Sequence, residues 1–462
     1  MNTLSSLVML MTSFDPILTA PTAQNLAVLL RGAVMATRQR TVTACLTAAW
    51  PCVTKRYQAY ANVFSRAKLP MLSMARVLFC LILQMTEDDA PIKLAIDETL
   101  VRRYGPYVPA IGMHRDAVRS TKKHKAFSPG HKWVAVAVLV KLPFMIRPVA
   151  LPVLSTLYTP RKPANRNRKE RTRRRHHTVP ELTILLVRLL LRWAPERRFV
   201  LVGDATYASH DLAKAFGPQS QHKALRRVRL VSRFPHDAAI YDEPGEYGGR
   251  GRPRIKGRKL PNPRAMAEHA APEQWHSTAL QWYAGKQKVM MLLSNTALWY
   301  RPAQGAKRVR WIVVRDPEGN HRDEVFFTTD ENLSPGEIVE TFIWRWSLET
   351  TFQESRELLG LETLRNWSPE AINRSVPLLL GLYSVIVAWF ARCVDSPESY
   401  CIQSPWYKRG HVTFSDMLTA ARLDVLPDII NQRSEIAQAG QKVGALILFP
   451  AMTHRLAKCR AA

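Results

Sequence analysis

Apolar residues recur at helical spacing from the N-terminus to about residue 90, interrupted by Pro51 and Pro70, and no stretch there alternates as a strand would. The pattern predicts a small helical domain over 1–90. The character changes at Ile92, where Ile92-Lys93-Leu94-Ala95-Ile96 reads as a strand ending at Asp97. Two further β-branched runs, Trp133 to Val140 and Met145 to Leu154, flank the turn-forming Lys141-Leu142-Pro143 and predict an antiparallel start to a mixed sheet. A helix from about Pro180 to Trp193 leads into a fourth strand, Phe199 to Gly203, that ends at Asp204; Arg229 to Phe234 reads as a fifth.

Residues 235–330 break this rhythm. They are rich in Gly and Pro at first, then strand-like at Val289 to Leu293, Val309 to Val314 and Val325 to Thr328, which predicts a partly β insertion. After it, Ser334-Pro335-Gly336-Glu337 has the capping-box pattern with Pro at the first helical position, and the helix it opens is expected to run until Gly360.

Composition narrows the partner. The chain of 462 residues is too long for one ordinary core, and its 47% hydrophobic content can fill two or three. Its 66 Lys+Arg against 37 Asp+Glu leave a net charge of +29, so a polyanion is the expected partner. The basic residues are spread along the chain instead of lining one amphipathic helix, which favours nucleic acid over a membrane surface. The six cysteines form no C-x-x-C pair and read as reduced thiols. The longest apolar run, Val376 to Ala391, has sixteen residues and reads as a buried helix; neither export nor a membrane span is expected, and a cytosolic location is.

Several segments suit DNA. Arg38 to Thr43, with Arg40 at its centre, opens a helix followed by Tyr60, Phe64, Arg66 and Lys68, a mixture that fits phosphate contacts and equally an ordinary solvated face. Arg161 to Thr178 holds nine Lys/Arg and one Glu, and is expected to be a mobile basic loop. Arg250-Gly251-Arg252-Pro253-Arg254 looks like an AT-hook core, extended by Lys256, Arg258 and Lys259; it fits an A·T-rich minor groove or a generic phosphate clamp. His114, Lys122, Lys123, His124 and Lys125 lie where a loop could approach a site at the strand ends.

The helix after Ser334 is the most informative element. At ~100° per residue, Phe342, Arg345, Glu349 and Arg356 fall at about 0°, 300°, 340° and 320°, one narrow stripe with two guanidiniums around a carboxylate. The same stripe also fits a solvated i,i+4 ion pair between Arg345 and Glu349. The spacing Phe342-x2-Arg345-x3-Glu349-x6-Arg356, with Trp344, Trp346 and the later Leu358-Leu359-Gly360-Leu361, resembles the Tyr-x2-Arg-x3-Glu-x6-Lys signature of bacterial insertion-sequence transposases of the DDE class. Phe342 lacks the phenolic hydroxyl of that signature, and Arg356 replaces a point charge by a planar fork.

The resemblance implies an α/β fold: an RNase H-like mixed five-stranded sheet flanked by helices, with a helical N-terminal domain and a partly β insertion before the third acidic residue. It implies a DNA-binding domain over 1–90, a catalytic domain over 91–234 and 331–395 interrupted by the insertion 235–330, and a C-terminal helical region over 396–462. The catalytic triad it implies is Asp97, Asp204 and Glu349, holding two Mg²⁺ ions about 4 Å apart, with Mn²⁺ expected to substitute. Asp97 follows a strand and precedes Glu98, and Asp204 also fits a helix N-cap. Arg345 and Arg356 are implied to hold phosphates, joined by Arg40, Lys122, Lys123, Arg250, Arg252 and Arg254. The implied partners are the transposon's terminal repeats and target DNA, bound by a homodimer on paired ends. A base flipped from a hairpin intermediate would stack on one of Trp275, Trp282, Trp299, Trp344 and Trp346, each of which fits core packing as well. The alternatives are a non-catalytic domesticated DNA-binding protein, a plain metal-dependent endonuclease, and an RNA-binding protein, for which no RRM or KH pattern is present.

Overall fold

The computed structural model describes residues 5–121, 123–160, 176–235, 238–247, 249, 251–406 and 408–438. Five helices come first: α1 (Ser6–Met11), α2 (Ala20–Met35), α3 (Val42–Ala48), α4 (Tyr57–Ser65) and α5 (Met71–Leu83). Four strands follow, β1 (Ile92–Arg102), β2 (Gly112–Arg115), β3 (Phe127–Val140) and β4 (Val149–Tyr158). Then α6 (Val179–Trp193) leads to β5 (Phe199–Val202), and α7 (His210–Ala215) to β6 (Val228–Arg233) and the short β7 (Ile240–Tyr241). After α8 (Pro263–Glu268) come β8 (His276–Gln281), β9 (Gln287–Arg301), β10 (Gly305–Arg315) and β11 (Glu324–Thr328). The last helices are α9 (Pro335–Trp344), α10 (Trp346–Glu357), α11 (Pro369–Cys393) and α12 (Phe414–Gln438).

The chain divides into two compact units. One comprises Met1–Leu78, Pro143–Met145 and Glu354–Ala462; the other comprises Phe79–Leu142 and Ile146–Gln353. The expected boundaries therefore shift: the N-terminal helices fold with the C-terminal ones, and the segment 331–395 is shared between the units. The reason is apolar surface. α11 buries Val376, Leu380, Tyr383, Ile386 and Phe390, and α1, α4 and α12 supply the covering faces. Charge adds to this, because Asp424 and Asp428 of α12 accept backbone N–H groups at the start of α1, from Ser5 (3.0 Å), Ser6 (3.1 Å) and Leu7 (2.9 Å). Asp428 also pairs with Arg31 at 2.9 Å. By length and composition α11 could cross a membrane, but most of its apolar run is buried within this helical unit.

In the other unit β3 pairs antiparallel with β1 and β4, while β1, β5 and β6 run parallel. The order β4-β3-β1-β5-β6 contains the five expected strands and is consistent with an RNase H-like nuclease fold. The strand count needs correcting, because β11 pairs antiparallel with β6 and β10, β9, β8 and β7 continue outward, giving eleven strands in one sheet among the described residues. The segment 235–330 thus extends the sheet. β6 would otherwise expose an edge, and the aromatic β11 (Phe326, Phe327) seals it.

Three local readings also change. β1 runs on past Asp97 to Arg102, because Thr99 and Val101 bury their side chains while pairing with β3. β2 is an unanticipated short strand, and β4 begins at Val149 instead of Met145. The helix opened by Ser334 has its capping box, but it divides at Arg345 into α9 and α10. There Arg345 N–H bonds Phe342 O (3.2 Å) and Leu348 N–H bonds Arg345 O (2.9 Å), the tighter three-residue spacing of a 3₁₀ turn. Gly360, at φ 64°, ends the run as expected.

Residues 161–175, most of the expected basic loop, lie outside the described residues, as do Lys122, Arg250 and Cys459. The five described cysteines are free thiols.

Candidate active site

The register of the parallel strands brings the two aspartates together. Ala95 of β1 lies level with Val202 of β5, and Asp97 and Asp204 each stand two residues beyond that pair. Side chains alternate along a strand, so Asp97 and Glu98 point to opposite faces. Glu98 pairs with Lys132 on β3, which leaves Asp97 for the site.

The third carboxylate arrives on α10. Ser347 Oγ donates to Pro148 O (2.6 Å) and Thr351 Oγ1 to Ala150 O (2.9 Å), which lays this helix along the start of β4. Phe342, on α9, is buried against Phe326 of β11, ring centroids 4.5 Å apart. Between these anchors Arg345, 7% exposed, places Nη1 2.6 Å from Glu349 Oε1 and 3.4 Å from Asp97 Oδ2. One guanidinium nitrogen therefore bridges two of the predicted carboxylates. The i,i+4 ion pair considered from sequence exists, but it is turned inward onto Asp97.

Electrostatics report the same convergence. Burial pushes the Asp97 carboxyl up to about 7; Arg345 opposes this, and repulsion from Asp204 and Glu349 adds to it. Burial works against the Arg345 charge, yet Glu349, Asp97 and Asp204 raise its pKa overall. Its buried Nε has no partner among the described residues, so one donor is left over.

Asp204 caps the single 3₁₀ turn Ala205–Tyr207, accepting from Thr206 N–H (2.8 Å) and Thr206 Oγ1 (3.2 Å). The capping role is real. It leaves lone pairs on both oxygens, since an ionised carboxylate offers about four acceptor sites. Ser232 Oγ on β6 donates to Asp204 O at 2.6 Å and fixes the turn from below.

Sequence reasoning missed Tyr207. It is buried, its Oη has no partner among the described residues, and Glu98, Asp97 and Asp204 add to the burial that raises its pKa well above the usual value. The signal was Gly203: a Cβ there would meet the Tyr207 ring at 2.6 Å, so the glycine makes room for the tyrosine under Asp204. Tyr283 was also missed; burial and the nearby Glu324 raise its pKa, and its ring packs edge-on to the half-exposed Trp346.

The other predicted residues have surroundings of their own. Arg356 lies at the far end of α10, within the helical unit, and pairs with Glu362 at 3.5 Å. Arg40 is buried, donating to Ala33 O (2.7 Å) and Leu358 O (2.8 Å), with burial lowering its pKa to about 10; it is not available as a surface DNA contact. Lys123, Arg252 and Arg254 are exposed. Of the tryptophans, Trp299 is core, packed by His210, Phe234 and Phe327. Lys93 covers Trp344 and Arg315 covers Trp275. Trp282 packs on Tyr283.

Asp97, Asp204 and Glu349 offer only carboxylate oxygens, a donor set suited to hard divalent cations. Among the described residues no three His, Cys, Asp or Glu side chains are already gathered as a ligand set. The balancing positive charge between Asp97 and Glu349 comes from Arg345.

Comparison with known proteins bears on this geometry. The family model described as DDE superfamily endonuclease matches residues 13–289, a span that includes Asp97 and Asp204 and stops before Glu349. No curated protein matches. Among solved structures, a cryo-EM structure of piggyBac transposase synaptic complex with hairpin DNA is similar at 10% identity, covering 95% of this chain and 75% of that one with a TM-score of 0.39. The family match takes in more than half of the chain, and the chain belongs to the DDE superfamily endonucleases.

Proposed function

We propose that the chain is a DNA transposase that cleaves transposon ends and transfers the 3′-hydroxyl ends to target DNA. The observation that carries this reading is the Asp97–Arg345–Glu349 bridge with Asp204 alongside, on a chain of net charge +29. A structural ion pair on a solvated face would not hold a second, buried carboxylate, Asp97, against it.

Asp97, Asp204 and Glu349 would hold two Mg²⁺ ions, which Mn²⁺ would replace. When bound, such ions activate the attacking oxygen and stabilise charge on the leaving one. Around them, Arg345 keeps Asp97 and Glu349 close while no cation balances them. Ser232 and Thr206 hold Asp204 in one orientation. In the first step water would attack the phosphorus at a transposon end and break its P–O3′ bond, leaving a 5′-phosphate and a free 3′-hydroxyl; in the second that hydroxyl would attack a target phosphate and displace the target strand's own 3′-oxygen, which leaves as a hydroxyl. Paired ends would be held by a homodimer, and Arg252 and Arg254 would add phosphate or minor-groove contacts.

The test uses purified protein, Mg²⁺ and a labelled duplex taken from the DNA flanking its own gene. Wild type should nick it, while Asp97→Asn and Glu349→Gln should bind without cutting, losing at least 100-fold in rate. Retained cleavage in both variants removes the mechanism. A plain endonuclease is the second reading, supported by the description of the matched family; joining of the labelled end to a target plasmid separates the two.

A further inference from the structure

The catalytic unit carries an exposed two-stranded ribbon that neither the carboxylate site nor the core uses. β2 pairs with the first residues of β3, setting Arg115 opposite Phe127 and Met113 opposite Pro129. One face, Gly112, His114, Ser128 and Gly130, is buried or half-buried. The other presents Met113, Arg115 and Phe127 to solvent, with Phe127 60% and Met113 54% exposed. Apolar side chains on the solvent face of a short ribbon are a cost unless something covers them.

The ribbon is rigidly held. Asp116, just past β2, accepts Arg102 Nε (2.8 Å), Ser128 Oγ (2.8 Å) and the backbone N–H groups of Val118 (3.2 Å) and Arg119 (3.3 Å). That single buried carboxylate ties the tip of the ribbon to the end of β1. It is also the only acidic residue between Arg103 and Gly130, a stretch with six Lys/Arg, and its charge is already matched by Arg102. Arg115, Lys123 and Lys125 are exposed and pair with no described carboxylate.

We propose that this face of the β2–β3 ribbon is a docking surface for duplex DNA beside the cleavage site, with Arg115, Lys123 and Lys125 on the backbone and Phe127 and Met113 against base edges. The proposal rests on the DNA-cleaving reading above. Charge decides the occupant: Arg115, Lys123 and Lys125 have no described carboxylate to answer them, and a duplex is a dense polyanion whose major groove admits a two-stranded ribbon. Position agrees. The ribbon begins where β1 reaches Arg102, five residues beyond Asp97, roughly 17 Å along the strand or about five base pairs of B-form duplex.

The experiment measures affinity of the full chain for a labelled linear duplex against salt concentration. The triple variant Arg115→Ala, Lys123→Ala, Lys125→Ala should weaken binding at least tenfold and reduce the log–log salt slope by about 2.7, that is ~0.9 for each lost phosphate contact. Phe127→Ser should weaken binding severalfold with the slope unchanged. If the triple variant keeps wild-type affinity and slope, the proposal is overturned. It is equally overturned if these variants change self-association while duplex binding stays the same. Asp97→Asn tests only the cleavage reading: should wild type fail to cut while the slope still falls in the triple variant, the ribbon stands and the catalytic reading does not.

Discussion

Arg345 is the residue on which the site's geometry turns. Two carboxylates share one of its nitrogens, and the side chain is almost out of solvent. Arg345→Ala leaves Asp97 and Glu349 facing each other without a counter-charge, which should cost about 2–3 kcal/mol, less than a fully buried pair because Glu349 retains some solvent. Arg345→Lys should recover part of the stability but not the rate, since an ammonium gathers its donors on one nitrogen and does not reproduce the planar guanidinium fork. Thermal melting and cleavage rates on the two variants check this; a neutral Arg345→Ala would mean the bridge is incidental. Asp97, Asp204 and Glu349 could be singled out from sequence because Asp97 follows an apolar run, Asp204 follows the apolar run of β5 and Glu349 sits in a spaced motif. Tyr207 could not, since a lone tyrosine three residues after an aspartate has no pattern; only the space left by Gly203 reveals it. Arg40 misled for the opposite reason: a basic residue in a polar string reads as surface, whereas here two carbonyl oxygens draw it inward.

At the level of elements, the five strands of the central order were readable as apolar runs, and the capping box announced α9 where it begins. What sequence could not show was how long the strands run and where they pair. β1 passes Asp97 because burial of Thr99 and Val101 outweighs the polar pair Asp97-Glu98 that looked like its end. β9, β10 and β11 were seen as strands, but pairing across the Gly/Pro-rich segment 235–275 is a long-range choice that periodicity does not encode. The β5–Asp204 turn gives a sharp prediction. Gly203→Ala forces a methyl into the Tyr207 ring, so we expect about 1–3 kcal/mol of destabilisation, together with slowed cleavage as the turn bearing Asp204 shifts. Gly203→Ala combined with Tyr207→Leu should regain stability, and an additive double variant would argue against this contact.

For the whole molecule, three buried histidines in the sheet-bearing unit, His114, His131 and His210, share one tendency. Burial lowers each pKa first; Lys132 and His131 add to the effect at His114, bringing it to about 4, Arg103 at His131, and Arg301 and Lys307 at His210. Hydrogen bonds to Pro109 O and Trp299 O, and Asp211 beside His210, work the other way without reversing it. The unfolded chain takes up these protons near pH 6.5 and the folded chain only at lower pH, so the histidines' contribution to stability should fall as pH drops from about 6.5 toward 4, while Asp97, which takes up its proton in the folded chain first, works the other way. Over that range the melting temperature of wild type should fall relative to that of His114→Gln; equal slopes would remove His114 from the account. The net charge that pointed to a polyanion remains the broadest feature legible in the sequence, and it constrains partners without constraining the fold.

The most direct test of the central claim is Mn²⁺ uptake, followed by electron paramagnetic resonance, by the protein with a nicked duplex present. If Asp97, Asp204 and Glu349 form one cation-holding site, wild type takes up the ion, while Asp97→Asn, Asp204→Asn and Glu349→Gln each weaken uptake at least tenfold. Uptake that survives all three substitutions unchanged would contradict the account.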